Sequence, residues 1–175
     1  MKRDDGDRAD ADAPRPDPAR VIAAAAAQGL TIATAESLTA GALVARLVDV
    51  PGSSAVIAGG AACYSYTAKE RVLGIDAALL KSRGAVSAEV ARQMAAGARA
   101  LYAADLAIAT TGVAGPGPDD RGVSAGTVFL AVDRSGAEPV VQQLHLPGGR
   151  AGVRAASVDA AVDLLLHTLG AAERR

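Results

Sequence analysis

The chain has 175 residues, 18 basic against 19 acidic side chains for a formal charge of −1, and 50% hydrophobic residues, of which only three Tyr and one Phe are aromatic. This is the length of one ordinary domain, large enough to bury a core without metal or disulfide staples. The dispersed, near-neutral charge argues against nucleic-acid binding, no apolar run reaches the roughly 20 residues of a membrane span, and a single cysteine excludes an internal disulfide.

Residues 1–17 alternate Asp and Arg with Ala and Pro, too polar to offset their ordering entropy, and are expected to form a disordered tail. The N-terminus has no apolar stretch of the kind that starts a secretory signal, so a cytoplasmic protein is expected. The folded domain is expected over 18–172. Pro18 suits a first helical turn, and an Ala-rich helix should run to Gln28 with Gly29 as its stop. A strand over 30–35 leads into a helix from near Ser37 to Val48, ended by Pro51-Gly52, with Leu38, Ala42, Ala45 and Val48 on one face.

A second strand is expected from Ala55 to Tyr64, where Gly59-Gly60 suggests a bulge or a close backbone approach. A short helix over Thr67 to Leu73 carries Lys69. Ser87 should cap a helix that turns Val90, Met94 and Leu101 towards the core, and Leu106 to Thr111 reads as a buried strand. The glycine-rich loop Gly112 to Gly126 is long enough to suggest binding. Strands Thr127 to Val132 and Val140 to Leu146 form a hairpin around Ser135-Gly136. The last helix runs from Arg150 to about Leu169, amphipathic through Val153, Ala156, Val158, Val162, Leu165 and Leu169. Alternating helices and strands followed by a strand pair predict a single-domain α/β sandwich of helices around a mixed, mainly parallel sheet.

Three polar features stand at strand ends, where open α/β sheets place ligands: the Ser37 turn, the segment from Tyr64 to Lys69, and the Gly112 to Gly126 loop. A serine at a helix start lies beside unpaired N–H groups able to hold an oxyanion, and a lysine, unlike an arginine, can lose its proton and act as base. The chain writes fifteen cations as Arg and three as Lys, which draws attention to Lys69. Residue types alone leave open a helix cap and a solvated charge instead.

The loop lacks the Gly-Lys-Ser/Thr of a P-loop and the context of a dinucleotide fingerprint. His145 and His167 fall in a late strand and the terminal helix, so a Ser-His-Asp triad has little support. Asp119 and Asp120 have no partners at a metal-ligand spacing, and no metal is expected. Arg150 and Arg154, four apart at a helix start, share a face and are either a clamp for a phosphate or carboxylate or ordinary surface charges.

Ala35-Glu-Ser-Leu-Thr-Ala-Gly41, Gly52-Ser-Ser54, Gly59-Gly60, Tyr64-Ser65 with Ala68-Lys69, Gly84-Ala-Val-Ser87, Thr111-Gly-Val-Ala-Gly-Pro116, Gly126-Thr-Val128 and Gly149-Arg150 with Val153-Arg154 closely resemble, in the same order, the CinA C-terminal domain family. The resemblance covers about residues 20–170. It implies hydrolysis of the carboxamide of nicotinamide mononucleotide (NMN) to nicotinic acid mononucleotide and ammonia, with Ser37 as nucleophile, Lys69 as general base and Tyr64 as an orienting or proton-relaying third member. It also implies substrate contacts at Thr39, Gly41, Gly60, Thr111, Gly112, Ala114 and Gly115, and Arg150 on the phosphate. No cofactor is implied. A homodimer and the stand-alone form of the family, without its N-terminal nucleotide-processing domain, are expected. The chain departs from the family's usual residues at Leu38, Ala40, Tyr66 and Pro118-Asp119-Asp120. A non-catalytic nucleotide-binding module, with phosphate at the helix start, and a regulatory scaffold remain the alternatives.

Overall fold

A computed structural model describes residues 15–172. Most of the expected tail therefore lies outside the described residues, but its end is placed. Asp17 caps α1 (Pro18–Ala27), its side chain accepting the Ala19 N–H, and the Pro16 carbonyl accepts from Arg46. Then follow β1 (Ile32–Glu36), α2 (Ala42–Val48), a 3-10 turn over Ser53–Ala55, β2 (Ile57–Ala62), α3 (Tyr66–Leu73), α4 (Ala77–Arg83), α5 (Ala88–Leu101), β3 (Leu106–Gly112), β4 (Thr127–Arg134), β5 (Val140–His145) and α6 (Arg150–Ala172).

The five strands form one mixed sheet in the order β2-β1-β3-β4-β5. β1 pairs in parallel with β2 and β3, while β3–β4 and β4–β5 are antiparallel, so only β4 runs against the rest. The two sheet faces differ in side-chain size. Ile32, Leu106, Ile108, Val128, Leu130 and Val132 pack with α1, α2 and α6. The alternate residues Ala33, Ala35, Ala107, Ala109 and Ala131 meet α3, α4 and α5. Period-two alternation thus gives one bulky face and one alanine face, and the second lets a helix lie close.

α5 uses that space. Ala91, Ala95 and Ala98 are buried along it, and at Gly97 an added Cβ would collide with the Leu73 carbonyl of α3. The close approach seats α3, and with it Lys69, against α5, which itself lies on the sheet. Leu101, expected in the core, is instead exposed, because α5 ends there and its buried stripe is already complete at Ala98.

Two further expectations are corrected. α2 begins at Ala42, five residues beyond Ser37, after a turn in which Ala40 and Gly41 both have positive φ (51° and 95°). α4 was not legible: it has seven residues, its N-cap is Asp76, and Leu80 is its one buried residue.

Candidate active site

β1, β2 and β3 run in parallel, so their C-terminal ends share one edge of the sheet, with Glu36 in register with Ala62 on one side and Thr110 on the other. The chain leaves β1 at Ser37, β2 at Cys63 and β3 at Gly112, and β5 exits at the same edge towards Arg150. Ser37, Lys69, Tyr64, Gly112, Ala114, Gly115 and Arg150 line a cavity of about 380 Å³ there. This falls within the range of roughly 300–1,000 Å³ common for small-molecule sites.

At its inner end Lys69, fully buried, reaches from α3 to Ser37, its Nζ 2.8 Å from Oγ and 2.8 Å from the Cys63 carbonyl oxygen. Ser65, one turn earlier, caps α3 by accepting the Ala68 N–H and so fixes the helix that carries the amine. Among the described residues no carboxylate pairs with Lys69. Desolvation disfavours its charged form and lowers its pKa to about 8, with the nearby Cys63 pulling weakly the other way. A neutral amine has two N–H donors and one lone pair. One donor satisfies the Cys63 carbonyl, and the lone pair is then free to accept the Ser37 hydroxyl proton.

Ser37 does not cap a helix. Its N–H donates to the Thr110 carbonyl, and the start of α2 is taken by the chain's own carboxylate. Glu36, 1% exposed, accepts from the N–H groups of Gly41 and Leu43 through Oε2, and from Val44 N–H and the Thr34 hydroxyl through Oε1. These helix-start donors are spent, so α2 offers no phosphate site. The N–H groups of Leu38 and Thr39 meanwhile donate to nothing among the described residues.

The outer end is open. Tyr64 is 62% exposed and its hydroxyl accepts from Arg150, which also donates to the Gly115 carbonyl; among the described residues neither is hydrogen-bonded to Ser37 or Lys69. Arg150 and Arg154 do not form a joint clamp. Arg154 turns inward and donates to the carbonyls of Leu38 and Thr39.

Four expected substrate contacts lie behind the cavity wall. The Thr39 and Thr110 hydroxyls share a hydrogen bond of 2.7 Å, the Thr111 hydroxyl donates to the Ala85 carbonyl, Gly41 gives its N–H to Glu36, and Gly60 lies where a Cβ would strike the Thr34 hydroxyl. They shape the site rather than face it. Gly112 does both, since a Cβ there would come 2.6 Å from the Thr127 carbonyl oxygen. Sequence reasoning missed Ala85 and Val86 as lining residues and Glu36 as the anchor of the turn. Glu36 was quoted within the motif, but nothing local said that its donors lay five to eight residues ahead.

Neither His145 nor His167 lines the cavity. Among the described residues no group of three or more His, Cys, Asp or Glu is placed to hold a metal ion, and no helix is long and apolar enough to cross a membrane.

Residues 17–169 match the family model described as the CinA C-terminal domain. The chain is 48% identical over 141 residues to a CinA-like protein of Mycolicibacterium vanbaalenii, covering 81% of this chain and 33% of the relative. It is also 48% identical over 145 residues to a CinA-like protein of Mycobacterium avium, covering 81% and 33%. The chain thus spans about a third of the length of these curated relatives. Among solved structures, a CinA superfamily protein of Klebsiella pneumoniae superposes with a TM-score of 0.84 at 35% identity, covering 87% of this chain and 95% of that one. One from Escherichia coli gives 0.85 at 32% identity, covering 90% and 91%.

Proposed function

This chain belongs to the CinA C-terminal domain family, and we propose that it is an amidohydrolase acting on the carboxamide of NMN with Ser37 as nucleophile and Lys69 as general base. The observation that carries the reading is the 2.8 Å contact between Lys69 Nζ and Ser37 Oγ, buried at the end of a ligand-sized cavity. A lysine is buried at a cost, and one that meets a serine instead of a carboxylate has its proton affinity tuned for chemistry rather than for structure.

In the proposed reaction neutral Lys69 takes the Ser37 proton as Oγ bonds to the carboxamide carbon, and the C=O π pair moves onto oxygen. The oxyanion then re-forms the carbonyl, the C–N bond breaks, and Lys69 returns the proton to the departing nitrogen to give ammonia. Water, deprotonated by the same amine, attacks the acyl-serine; its collapse restores the Ser37 hydroxyl and releases the acid. The sum is amide plus water to acid plus ammonia. At the cavity mouth Arg150 meets the phosphate and Tyr64 orients the substrate beside it, which is what their exposure and mutual hydrogen bond support.

The reading of a non-catalytic module with phosphate at the helix start loses its physical basis, because Glu36 occupies those donors. The test is ammonia release from NMN by the native chain and by Ser37→Ala and Lys69→Ala. Release by the native chain alone is expected, and equal turnover by either variant removes the dyad. A homodimer is proposed with it, to be checked by sedimentation.

A further inference from the structure

The chain has three Tyr and one Phe, and two of these rings belong to the cavity. Tyr102 and Phe129 pack against the core on the alanine face of the sheet, whereas Tyr64 and Tyr66 line the space around the dyad. Tyr64 stands in solvent at the mouth. Tyr66 opens α3 one turn before Lys69, so the two side chains leave the same face of the helix. Its hydroxyl accepts the Ala85 N–H at 3.2 Å, and the Thr111 hydroxyl holds the Ala85 carbonyl from the other side at 2.6 Å. Tyr66, Ala85 and Val86 all line the cavity, so the ring is tied at both ends of its long axis to the cavity wall. The hydroxyl oxygen lies on the χ2 axis. The ring can therefore turn about that axis without giving up the hydrogen bond, and χ2 is a soft, two-fold torsion. With its hydroxyl engaged, Tyr66 is left with a π face to offer a ligand.

We propose that Tyr66 is a specificity-determining residue whose ring stacks on the positively charged pyridinium of the substrate and selects cationic over neutral aromatic carboxamides. The inference rests on the amidohydrolase reading and deepens it. In NMN the carboxamide carbon is bonded directly to the pyridinium. Placing that carbon at Ser37 Oγ brings the ring to the dyad end of the cavity, where Tyr66 stands one turn from Lys69. A carboxylate there would hold the cation, but it would also favour the charged form of Lys69, which must be neutral to act as base. An aromatic face attracts the cation through its quadrupole, a field of shorter range. The carboxylates that line the cavity, Asp119 and Asp120, sit on the loop after β3 instead, and Asp119 Oδ1 is taken by the N–H groups of Arg121 and Val123.

The test compares two ligands of nearly equal shape, NMN and its C-nucleotide analogue, in which carbon replaces the ring nitrogen and the charge is lost. Ring charge also activates the carboxamide, so affinity is read by calorimetry in the Ser37→Ala chain, while ammonia release from NMN is measured on the native chain. The Ser37→Ala chain should bind NMN about 3- to 30-fold more tightly than the C-nucleotide, the range of one cation–π contact. Adding Tyr66→Leu should remove most of that preference, weakening NMN by this factor and the C-nucleotide less than about threefold. Tyr66→Phe, which keeps the ring and loses its tie to Ala85, should retain the preference within about twofold even where both affinities fall. If Tyr66→Leu does not fold, Tyr66→Met, which fills the space without a π face, takes its place. The absence of a preference for NMN overturns the inference. So does an equal loss for both ligands on removing the ring, which would leave Tyr66 as a strut for Ala85 alone. Binding of NMN with no ammonia release by the native chain overturns the amidohydrolase reading only, and Tyr66 is then judged on affinity. A folded chain that neither binds nor hydrolyses NMN overturns both.

Discussion

The two ends of the cavity are built on opposite principles. At the inner end Ser37 is 7% exposed and Lys69 fully buried, and the turn between β1 and α2 is over-determined by Glu36, Arg154 and the Thr39–Thr110 hydroxyl pair. At the outer end Tyr64 and Arg150 hold one another in solvent beside the Gly115 carbonyl. Desolvation and fixed geometry are what a nucleophile and base need, because they make the neutral amine accessible and leave little reorganisation to the reaction. A charged substrate group is better met by exposed, adjustable side chains. On the proposed function, the contrast is between a part that sets rate and a part that sets affinity.

The sharpest way to break it is at the dyad. Ser37→Ala and Lys69→Ala should each lower kcat by about 10³-fold or more while retaining the native circular dichroism. A loss appearing only in KM would merge the two ends into one binding surface. The inner end should also carry a stability cost. Lys69 titrates near 8 in the folded chain, below its ordinary 10.5. The unfolded chain therefore binds the proton more tightly, the full penalty applies below about pH 8, and it fades as pH rises towards 10.5. Lys69→Met should raise stability by roughly 1–3 kcal/mol at pH 7, after the lost hydrogen bonds are set against the desolvation. In denaturant titrations that gain should shrink between pH 8 and 10.5; a pH-independent gain contradicts the assignment.

At the outer end, Arg150→Ala should raise KM for NMN about tenfold or more with kcat nearly constant, as expected for one charge-assisted contact. The same substitution should leave turnover of the unphosphorylated nucleoside unchanged. A comparable effect on both substrates removes Arg150 from the phosphate. In the pH dependence, activity should rise about tenfold from pH 7 to a plateau above the Lys69 value near 8, as the neutral amine accumulates. A flat profile between pH 6.5 and 9 speaks against Lys69 as base. The smallest effect belongs to the turn itself: Ala40 is an exposed non-glycine residue at φ 51°, so Ala40→Gly should stabilise by about 1 kcal/mol, read from thermal melts.

Where sequence reasoning succeeded, the signals were local. Pro18 and Ser87 marked helix starts, the short apolar run Leu106 to Thr111 marked a buried strand, and Gly59-Gly60 marked a register irregularity and a close approach. It failed where a remote group displaced the local one. Ser37 has the chemistry of a helix cap, but Glu36 takes the α2 donors and moves the helix start to Ala42. Arg154 has the spacing of a clamp with Arg150, but the carbonyls of Leu38 and Thr39, 116 and 115 residues away, claim it. Thr39, Gly41, Gly60 and Thr111 share motifs with lining residues, and adjacency along a strand does not distinguish the wall from the space behind it.

By itself the sequence determined the order of the elements apart from α4, because caps, turns and periodicity are set by neighbours a few residues apart, and its resemblance to a family singled out the serine and lysine. Only the tertiary structure decided that side chains 32 residues apart in the chain meet at 2.8 Å, that the amine is dry enough to lose its proton near neutrality, and which arginine turns inward. Desolvation and the pairing of distant groups depend on what the folded chain closes over them, and no local stretch encodes that.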